Sequence, residues 1–362
     1  MALYPGAERE RRFAAEELVG VMASIFVQCG MPEDNATLLA RTLVRSDLRG
    51  IHSHGVLRIP DYVGKLTRGG VDPRGRPTVV RERGSIVIID GGNSMGQIGG
   101  TFAMARAIER ARDTGIAAAA LRNSNHCGAM DHYACMALAH DMIGLATTNA
   151  IPTMAAWGGA DKIVGINPLG VAVPGGAEGP IVLDIAFGAT AHGKIRIYHQ
   201  KGHPLPEGWA FDADGIPTTD TAKALTGLIR PVGDFKGVGL AMVMGILASL
   251  LSGAGYGLEV GNMVDGATAG ADGQFFIAID VAAFEDVTRF KARVDGILRE
   301  LHASRRAPDV EQLFAPGEME ARFEARYSRE GIPLNEITIA DIVAAARSLG
   351  VALPADFATE GT

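Results

Sequence analysis

Strand-like and helix-like segments alternate through the middle of this chain, and that alternation restricts its fold more than any other feature. Short apolar runs predict five strands, at Ser85–Asp90, Ile116–Leu121, Ile143–Thr148, Ile181–Ala186 and Gln274–Asp280. Apolar residues at helical spacing predict helices at Thr101–Thr114, at Ala129–His140 and in a segment that ends at Tyr198. Because a sheet buries its apolar faces against helices, the sequence predicts an α/β fold with a mixed sheet.

The two ends of the chain differ from its middle. Roughly the first 70 residues carry helical periodicity, and the second helix is predicted to be capped by Asp34 or Asn35. Helical patterns return toward the C-terminus. We therefore predict a helical domain formed by residues 1–75 together with about 305–362, and an α/β domain formed by residues 76–304.

Charge and cysteine content restrict the partners and the compartment. The chain has 34 Lys and Arg against 41 Asp and Glu, a net charge of −7, which disfavours nucleic acid and anionic membranes as partners. Its three cysteines, Cys29, Cys127 and Cys135, show no CxxC spacing, which favours a reducing compartment. The charged N-terminus has no apolar signal-peptide core, so we expect a cytoplasmic protein.

One apolar run is long enough to imitate a membrane span. No charged residue occurs from Gly237 to Leu258. Glycines near both ends of the run leave a helix of about 15 residues, which is short for a bilayer. The sequence therefore predicts a buried core helix over Val238–Leu251.

A glycine-rich turn follows the first predicted strand, as it does in dinucleotide-binding folds. Its glycines read G-x-x-x-G-x-x-G from Gly92 to Gly99 instead of G-x-G-x-x-G, and the next strand ends in Arg122 and Asn123 with no acidic residue. The pattern argues against a Rossmann site. A turn that requires glycine and an anion site at a helix N-terminus are the two remaining interpretations.

The run Arg49–Arg58 combines groups suited to proton transfer and to carboxylate binding. Ser53 stands beside His54, whose imidazole titrates near neutral pH, and Arg58 offers a bidentate clamp. If the residues after His54 are helical, His54 and Arg58 share one face. A helix-capping Ser53 with solvated histidines is the alternative, and a metal site using His52 and His54 finds no further ligands at suitable spacing.

Three more polar residues stand where a ligand would be bound. His126 follows the strand Ile116–Leu121, at the edge where α/β proteins place ligands. Asp184 lies inside an apolar strand, so its carboxylate needs a partner, either an imidazole or Arg or backbone N–H groups. Lys236 begins the apolar helix, where a cation opposes the helix dipole unless an anion is bound.

Seven short runs, in this order, resemble the malate/L-lactate dehydrogenase type 2 family over nearly the whole chain. They are Asp47–Gly50 with Ser53–Val56 and Arg58, Arg122–His126, Trp157–Gly159 with Asn167 and Pro168, Leu183 and Asp184, Ala191–Lys194, Lys236 and Gly237, and Phe275–Asp280. The resemblance implies a nicotinamide-dependent oxidoreductase with a non-Rossmann, sulfolactate dehydrogenase-like fold. It also implies NAD or NADP as cofactor, bound across the α/β domain, and a homodimer.

The resemblance further implies roles for individual residues. His54 exchanges a proton with the substrate, Ser53 and Asp184 assist it as a relay, and Arg58 binds the substrate carboxylate. His126 lies beside cofactor and substrate and is the base in one described member, so both histidines are candidates for the principal acid–base group. Cofactor contacts are expected at His126, Asp184, Ile185, Ala186, Lys236, Gly317 and Glu318.

Several substrates remain open within the family. A small 2-oxo or 2-hydroxy carboxylate of the malate or lactate type is expected, with cyclic imino acid reduction and ureidoglycolate or diketogulonate dehydrogenation as alternatives. A metal-dependent hydrolase built on His52, His54 and His126 is the remote alternative. His52 departs from the family pattern, in which Asp or Asn is usual, and a cation there is expected to lower the pKa of the adjacent imidazole.

Overall fold

The computed structural model describes residues 6–357. The α-helices are α1 (Ala15–Gln28), α2 (Glu33–Leu48), α3 (Ile59–Arg68), α4 (Gly96–Thr114), α5 (Asp131–Met136), α6 (His192–Gln200), α7 (Thr221–Thr226), α8 (Phe235–Ala248), α9 (Val287–Ala303), α10 (Glu318–Glu330) and α11 (Glu336–Ser348). The strands are β1 (Arg11–Phe13), β2 (Thr78–Arg83), β3 (Ile86–Asp90), β4 (Ile116–Ser124), β5 (Met142–Thr148), β6 (Pro152–Met154), β7 (Val164–Gly165), β8 (Leu169–Val173), β9 (Ile181–Ile185), β10 (Ala210–Phe211), β11 (Pro217–Thr218), β12 (Leu228–Ile229), β13 (Asp272–Asp280) and β14 (Ile332–Leu334).

A seven-stranded sheet forms the centre of the molecule, in the order β2-β3-β4-β13-β5-β8-β9. Strands β3 and β4 are parallel, and the other neighbouring pairs are antiparallel. The central strand β13 places the fully buried Phe276 between Ala119 and Ala146, so that small side chains on both neighbours leave room for the ring. The predicted mixed α/β sheet is therefore confirmed.

The helices at the two ends of the chain share one apolar core. Helices α1, α2 and α3 contribute residues such as Phe26 and Tyr62, and the C-terminal helices contribute Tyr327 and Ile342. The short strands β1 and β14 pair across the same region, although no sequence pattern predicts either of them. The division of the chain at residues 75 and 305 stays a prediction.

The start of the second helix differs from the expectation. Helix α2 begins at Glu33, directly after Pro32, and no side chain caps it, so the predicted cap at Asp34 or Asn35 is wrong. The Asp34 carboxylate instead accepts a hydrogen bond from the N–H of Asn35. Pro32 takes the N-cap position with an extended backbone, and the acidic Glu33 and Asp34 lie in the first turn, where negative charge is favourable to the helix dipole.

The apolar helix α8 is not buried in the way the sequence predicts. Its buried face carries small residues, and a Cβ at Gly245 would lie 2.4 Å from the amide nitrogen of Asn167. That amide donates to the carbonyl of Ala241 at 2.7 Å, so the helix lies too close to its support for large side chains. Leu240, Val243 and other large apolar residues therefore point outward and are about half exposed. Within residues 6–357, no helix is both long and apolar enough to cross a membrane.

Candidate active site

One cavity brings together most of the residues that were predicted to contact the substrate. It has a volume of about 460 Å³, and its walls come from the segment before α3, from the residues that follow β4 and β5, and from the ends of α6 and α7. His54, Arg58 and His126 all line it. We call it the His54 cavity.

Asp47 holds the segment that carries His54 and Arg58. Its buried carboxylate accepts a hydrogen bond from the N–H of Val56 at 2.7 Å and lies 2.7 Å from Nδ1 of His52. A Cβ at residue Gly55 would lie 2.1 Å from an Asp47 oxygen, so the position accepts only glycine. Asp47 and Gly55 thus fix the two 3-10 turns, His52–His54 and Val56–Arg58, that carry the site.

His52 does not act on His54 in the way that was expected. Its ring contacts Asp47 and lies 6.1 Å from the ring centre of Tyr327, and it does not line the His54 cavity. The pKa of His54 is lowered to about 3, mainly by burial and then by the Arg58 guanidinium. The expected effect of a His52 cation is therefore wrong, because the side chain turns toward α2 and α10.

The two cavity histidines are stacked on one another. Their ring centres are 5.6 Å apart and their planes are 10° from parallel. Nδ1 of His54 lies 2.9 Å from the Ser53 hydroxyl. Burial, Arg58 and His54 hold the pKa of His126 well below its usual value. Both imidazoles are therefore neutral near pH 7, and their proximity disfavours charging both at once.

Two residues that the sequence reasoning missed, Tyr62 and Gln97, form a hydrogen-bonded chain with His126. The Tyr62 hydroxyl lies 2.7 Å from Nδ1 of His126, and it accepts a hydrogen bond from the amide nitrogen of Gln97 at 2.9 Å. A Tyr62 hydroxyl that donates its proton to Nδ1 of His126 would leave the other ring nitrogen, Nε2, as the N–H donor. The spacing of Arg58 and Tyr62, one helical turn, was the signal available in the sequence.

Arg58 is buried but retains donors for a ligand. Its Nε donates to the carbonyl of Ser53 at 2.8 Å, and one terminal nitrogen lies 3.2 Å from Asp61. Asp61 also faces Arg196 at 3.5 Å, so a single carboxylate serves two cations. A Cβ at Gly193 would lie 2.9 Å from the other terminal nitrogen of Arg58, which places the start of α6 against the guanidinium.

The Asp184 carboxylate is paired with backbone N–H groups, one of the two kinds of partner that the sequence allowed. It accepts hydrogen bonds from the backbone N–H groups of Asp131, at 2.9 Å, and of Met130. Burial and the nearby Asp131 charge raise the pKa of Asp184 to about 7. These described hydrogen bonds do not reach Ser53 or His54, so a relay through Asp184 stays a prediction.

The other residues predicted to bind the cofactor are distributed along the edge strand β9, which carries Asp184 and Ile185 and ends just before Ala186. The N–H of Val182 donates to the carbonyl of Pro316 at 3.0 Å, and a Cβ at Gly317 would lie 2.8 Å from Val182. On the far end of the strand, a Cβ at Gly237 would lie 3.0 Å from the carbonyl oxygen of Phe187. The segment around Gly317 thus lies beside one end of β9 and the segment around Lys236 beside the other, and none of these residues lines the His54 cavity.

Glu318 and Lys236 lie at the two sides of this edge. The Glu318 carboxylate accepts a hydrogen bond from the N–H of Ala315 at 2.7 Å and pairs with His302. It lines a larger and more open cleft of about 1030 Å³ between α9 and α10. Lys236 is exposed in the first turn of α8, whose N-terminus has no side-chain cap.

The glycine-rich run serves packing. A Cβ at Gly96 would lie 2.0 Å from the carbonyl oxygen of Asn125, and one at Gly100 would lie 2.7 Å from the ring of Tyr133. Gly92 has a positive φ of 61°, as the turn requires. These glycines let α4 lie directly against β4 and the segment that carries His126, which supports the turn interpretation.

Metal-ligating and thiol groups have other surroundings. Among residues 6–357, no three or more His, Cys, Asp or Glu side chains are grouped so that they could hold a metal ion. Cys29, Cys127 and Cys135 are free thiols. Burial raises the pKa of Cys127 to about 12, so this cysteine is an unreactive packing residue in the cavity wall.

The mixed-sheet α/β fold is compatible with an oxidoreductase, as are the two stacked histidines and the arginine in one cavity. Comparison with known proteins shows that the chain is a dehydrogenase of the class that acts on hydroxy acids. The malate/L-lactate dehydrogenase profile matches residues 13–343. The chain belongs to this family.

Similar proteins support the same assignment. A malate dehydrogenase of Pyrococcus abyssi is 35% identical over 353 residues, which cover 94% of this chain and 95% of that protein. An L-sulfolactate dehydrogenase of Methanocaldococcus jannaschii is 39% identical over 307 residues, which cover 83% and 87%. The solved sulfolactate dehydrogenase structure from Methanocaldococcus jannaschii superposes with a TM-score of 0.87 at 35% identity and covers 94% of this chain and 98% of that one. The expected family, fold and enzyme class are therefore confirmed.

Proposed function

We propose that this enzyme transfers a hydride between NAD or NADP and C2 of a small 2-oxo or 2-hydroxy carboxylate. The observation that carries the proposal is the presence of His54, His126 and Arg58 in one cavity, where proton exchange and carboxylate binding occur side by side. The bound nicotinamide supplies the hydride for reduction or accepts it in oxidation. Malate and sulfolactate are the substrates named for two of the similar proteins.

The chain's own groups fit such a cofactor. Asp234, at the start of α8, pairs with Arg230 at 3.1 Å and does not cap the helix. The exposed Lys236 adds a positive charge to that uncapped N-terminus, and an anion such as a diphosphate compensates both. We assign to the cofactor Lys236, Asp184, Ile185, Ala186, Gly317 and Glu318, and His126 at the reacting end.

Arg58 and His54 divide the work on the substrate. Arg58 binds the carboxylate through the nitrogens that Asp61 and Ser53 leave free. The substrate charge then offsets the guanidinium, one of the two causes that lower the pKa of His54. Substrate binding therefore favours the imidazolium that donates the proton in reduction. In oxidation the neutral His54 is ready to accept a proton, and Ser53 orients its ring.

His126 has the complementary role of a hydrogen-bond donor. We assign Nδ1 of His126 as the acceptor of the Tyr62 hydroxyl proton, so that Nε2 carries the N–H that binds the substrate. Such a donor polarises a substrate carbonyl and orients it, but it accepts no proton at that nitrogen. This assignment makes His54 the principal acid–base group.

We also propose a homodimer that works in the cytoplasm. The outward face of α8 exposes Leu240, Val243 and Ile246, and Leu250 and Leu251 continue the same apolar surface. A contiguous apolar surface of this kind is typical of an interface, and a second copy of the chain is the partner we propose. Three free thiols are compatible with a reducing compartment. Sedimentation of the wild type and of Val243→Glu tests the dimer.

The activity is tested by the absorbance of reduced nicotinamide, with NADH and NADPH in parallel. The substrates are pyruvate, oxaloacetate, other 2-oxo acids, diketogulonate and a cyclic imino acid, with ureidoglycolate and NAD⁺ in the oxidative direction. Turnover of a 2-oxo acid supports the proposal and identifies the cofactor. Turnover of the imino acid, diketogulonate or ureidoglycolate alone moves the enzyme to that alternative. Cofactor binding that is detected by fluorescence, without turnover of any substrate in the panel, contradicts the proposed class of 2-oxo and 2-hydroxy carboxylates.

A further inference from the structure

The wall of the His54 cavity carries more positive charge than one substrate carboxylate can offset. The cavity is lined by three cationic side chains, those of Arg58, Lys65 and Lys162. Among the described residues that line it, one side chain, that of Asp272, is a carboxylate. The proposed function gives Arg58 to the carboxylate next to the reacting carbon. Lys65 and Lys162 are left to be explained.

Lys65 is already compensated inside the protein. Its ammonium is buried, donates to the carbonyl of Thr268 and faces Asp272 and Asp265. Asp272 is itself buried beside it. This lysine therefore belongs to a local pair of charges and is not a free cation for a ligand.

Lys162 has a different environment. It lies in the loop between β6 and β7, is exposed, and donates to the carbonyl of Thr226 at 2.8 Å. A carbonyl takes one of the three N–H donors of an ammonium and supplies no negative charge. Lys162 thus stands at the cavity wall with two N–H donors and its whole positive charge available for a ligand.

His192 places this lysine in the same electrostatic field as Arg58. His192 begins α6, and its Nε2 lies 3.4 Å from the carbonyl oxygen of Leu225, one residue before the partner of Lys162. Burial lowers the pKa of His192, and the charges of Arg58, Lys162 and Arg196 lower it further. Since the adjacent Gly193 lies against the Arg58 guanidinium, Lys162 and Arg58 face one ligand-sized space.

We propose that Lys162 forms a second anion subsite, so that the preferred substrate is a 2-oxo acid with a second acidic group, a carboxylate or a sulfonate, at its far end. This inference rests on the proposed function and specifies its substrate. Arg58 binds the carboxylate at C1, and Lys162 binds the distal acid. His192 lines the same cavity, and the lowered pKa of its ring leaves the charge to Lys162.

Capping of α7 is the competing role for Lys162, because Thr226 is the last residue of that helix. A cation at a helix C-terminus stabilises the helix whichever substrate is bound. A purely structural lysine would therefore affect all substrates alike. The ratio of two substrates separates the two roles, since only a subsite changes that ratio.

The test compares kcat/KM for oxaloacetate and for 2-oxobutyrate, which have the same number of carbons and differ at the far end. The variants are Lys162→Met, which keeps the aliphatic stem, and Lys223→Met as the matched control. Lys223 is an exposed lysine of α7 that does not line the cavity. We expect the wild type to prefer oxaloacetate, Lys162→Met to lower the ratio about fivefold, mainly through KM, and Lys223→Met to leave it unchanged.

Ionic strength gives a second readout of the same contact. Raising the salt concentration is expected to weaken oxaloacetate binding more than 2-oxobutyrate binding in the wild type, and to affect both equally in Lys162→Met. Equal loss for both substrates in Lys162→Met, or a wild type that prefers 2-oxobutyrate, overturns the subsite but leaves hydride transfer intact. Turnover of neither substrate, or of imino acids alone, overturns the proposed function and the subsite with it.

Discussion

Replacing Tyr62 by Phe removes one hydroxyl from the candidate active site and leaves two polar groups without their partner. Gln97 is fully buried, whereas His126 is half-buried and lines the cavity. Nδ1 of His126 loses its donor at 2.7 Å, and the amide of Gln97 loses its acceptor at 2.9 Å. An unsatisfied buried polar group costs about 1–3 kcal/mol, so we expect a net loss of about 2 kcal/mol of unfolding free energy. For a chain of this length, that lowers Tm by roughly 3 °C.

The effect on catalysis follows from the tautomer of His126. Without Tyr62 the proton is no longer held on the cavity-facing nitrogen, and the substrate carbonyl loses an oriented donor. Loss of about 2 kcal/mol of transition-state stabilisation lowers kcat about 30-fold. The ¹⁵N chemical shifts of His126 report which nitrogen carries the proton, and kcat is measured with the best substrate of the panel.

Gln97→Met is the matched comparison for Tyr62→Phe. It removes the other hydrogen bond of the Tyr62 hydroxyl but keeps the one to His126. We expect a similar loss of stability with the His126 tautomer retained and kcat lowered only a few-fold. If Tyr62→Phe leaves the ¹⁵N shifts of His126 and kcat unchanged, or if both variants lose the same activity, then Tyr62 does not fix the tautomer.

Three further substitutions test the assigned roles. His54→Ala should lower kcat at least 10²-fold, because His54 exchanges the substrate proton. The Kd of the reduced cofactor, measured by fluorescence titration, should stay unchanged. Full turnover in this variant would make His126 the acid–base group. Arg58→Lys should raise KM about tenfold with a smaller change in kcat in steady-state assays, since Lys lacks the planar fork, and an unchanged KM would place the carboxylate elsewhere. Asp272→Asn tests the pKa of Asp272, which burial raises to about 7 although Lys65 opposes the shift. A carboxyl group whose pKa is raised in the folded protein contributes stability below about pH 4, and that stability is lost as the pH rises through 7. In denaturant titrations, the unfolding free energy of the wild type should therefore fall relative to that of the Asn variant by up to about 4 kcal/mol across this pH range. Parallel curves for the two proteins would show that Asp272 has an ordinary pKa.

Much of the site could be read from local patterns. Ser53, His54 and Arg58 lie within six residues, and the strand that precedes His126 has a clear apolar run. The structure places His54, Arg58 and His126 in one cavity as expected. Such predictions succeed because neighbours in the sequence share one turn of backbone, and because strand ends are reliable places for ligands in α/β folds.

Other features needed the folded chain. His52 follows the same pattern as His54, but its ring turns to Asp47 and Tyr327, since side chains two positions apart on a 3-10 turn point in different directions. Helix α8 has the apolar composition of a core helix, but the close approach of Asn167 allows only small residues on its inner face. Neither the direction of a side chain nor the distance to a packing neighbour is encoded in hydrophobic periodicity.

The sequence by itself determined the mixed α/β class, the family, and the histidines and arginine of the cavity, because these depend on residue type and short-range spacing. Tertiary structure alone decided that Gln97, Tyr62 and His126 form a hydrogen-bonded chain, and that Lys162 lies at the wall of the cavity that holds Arg58. Tyr62 and His126 are 64 residues apart in the chain. A contact at that separation forms only when the helices and the sheet pack together, so no local pattern predicts it.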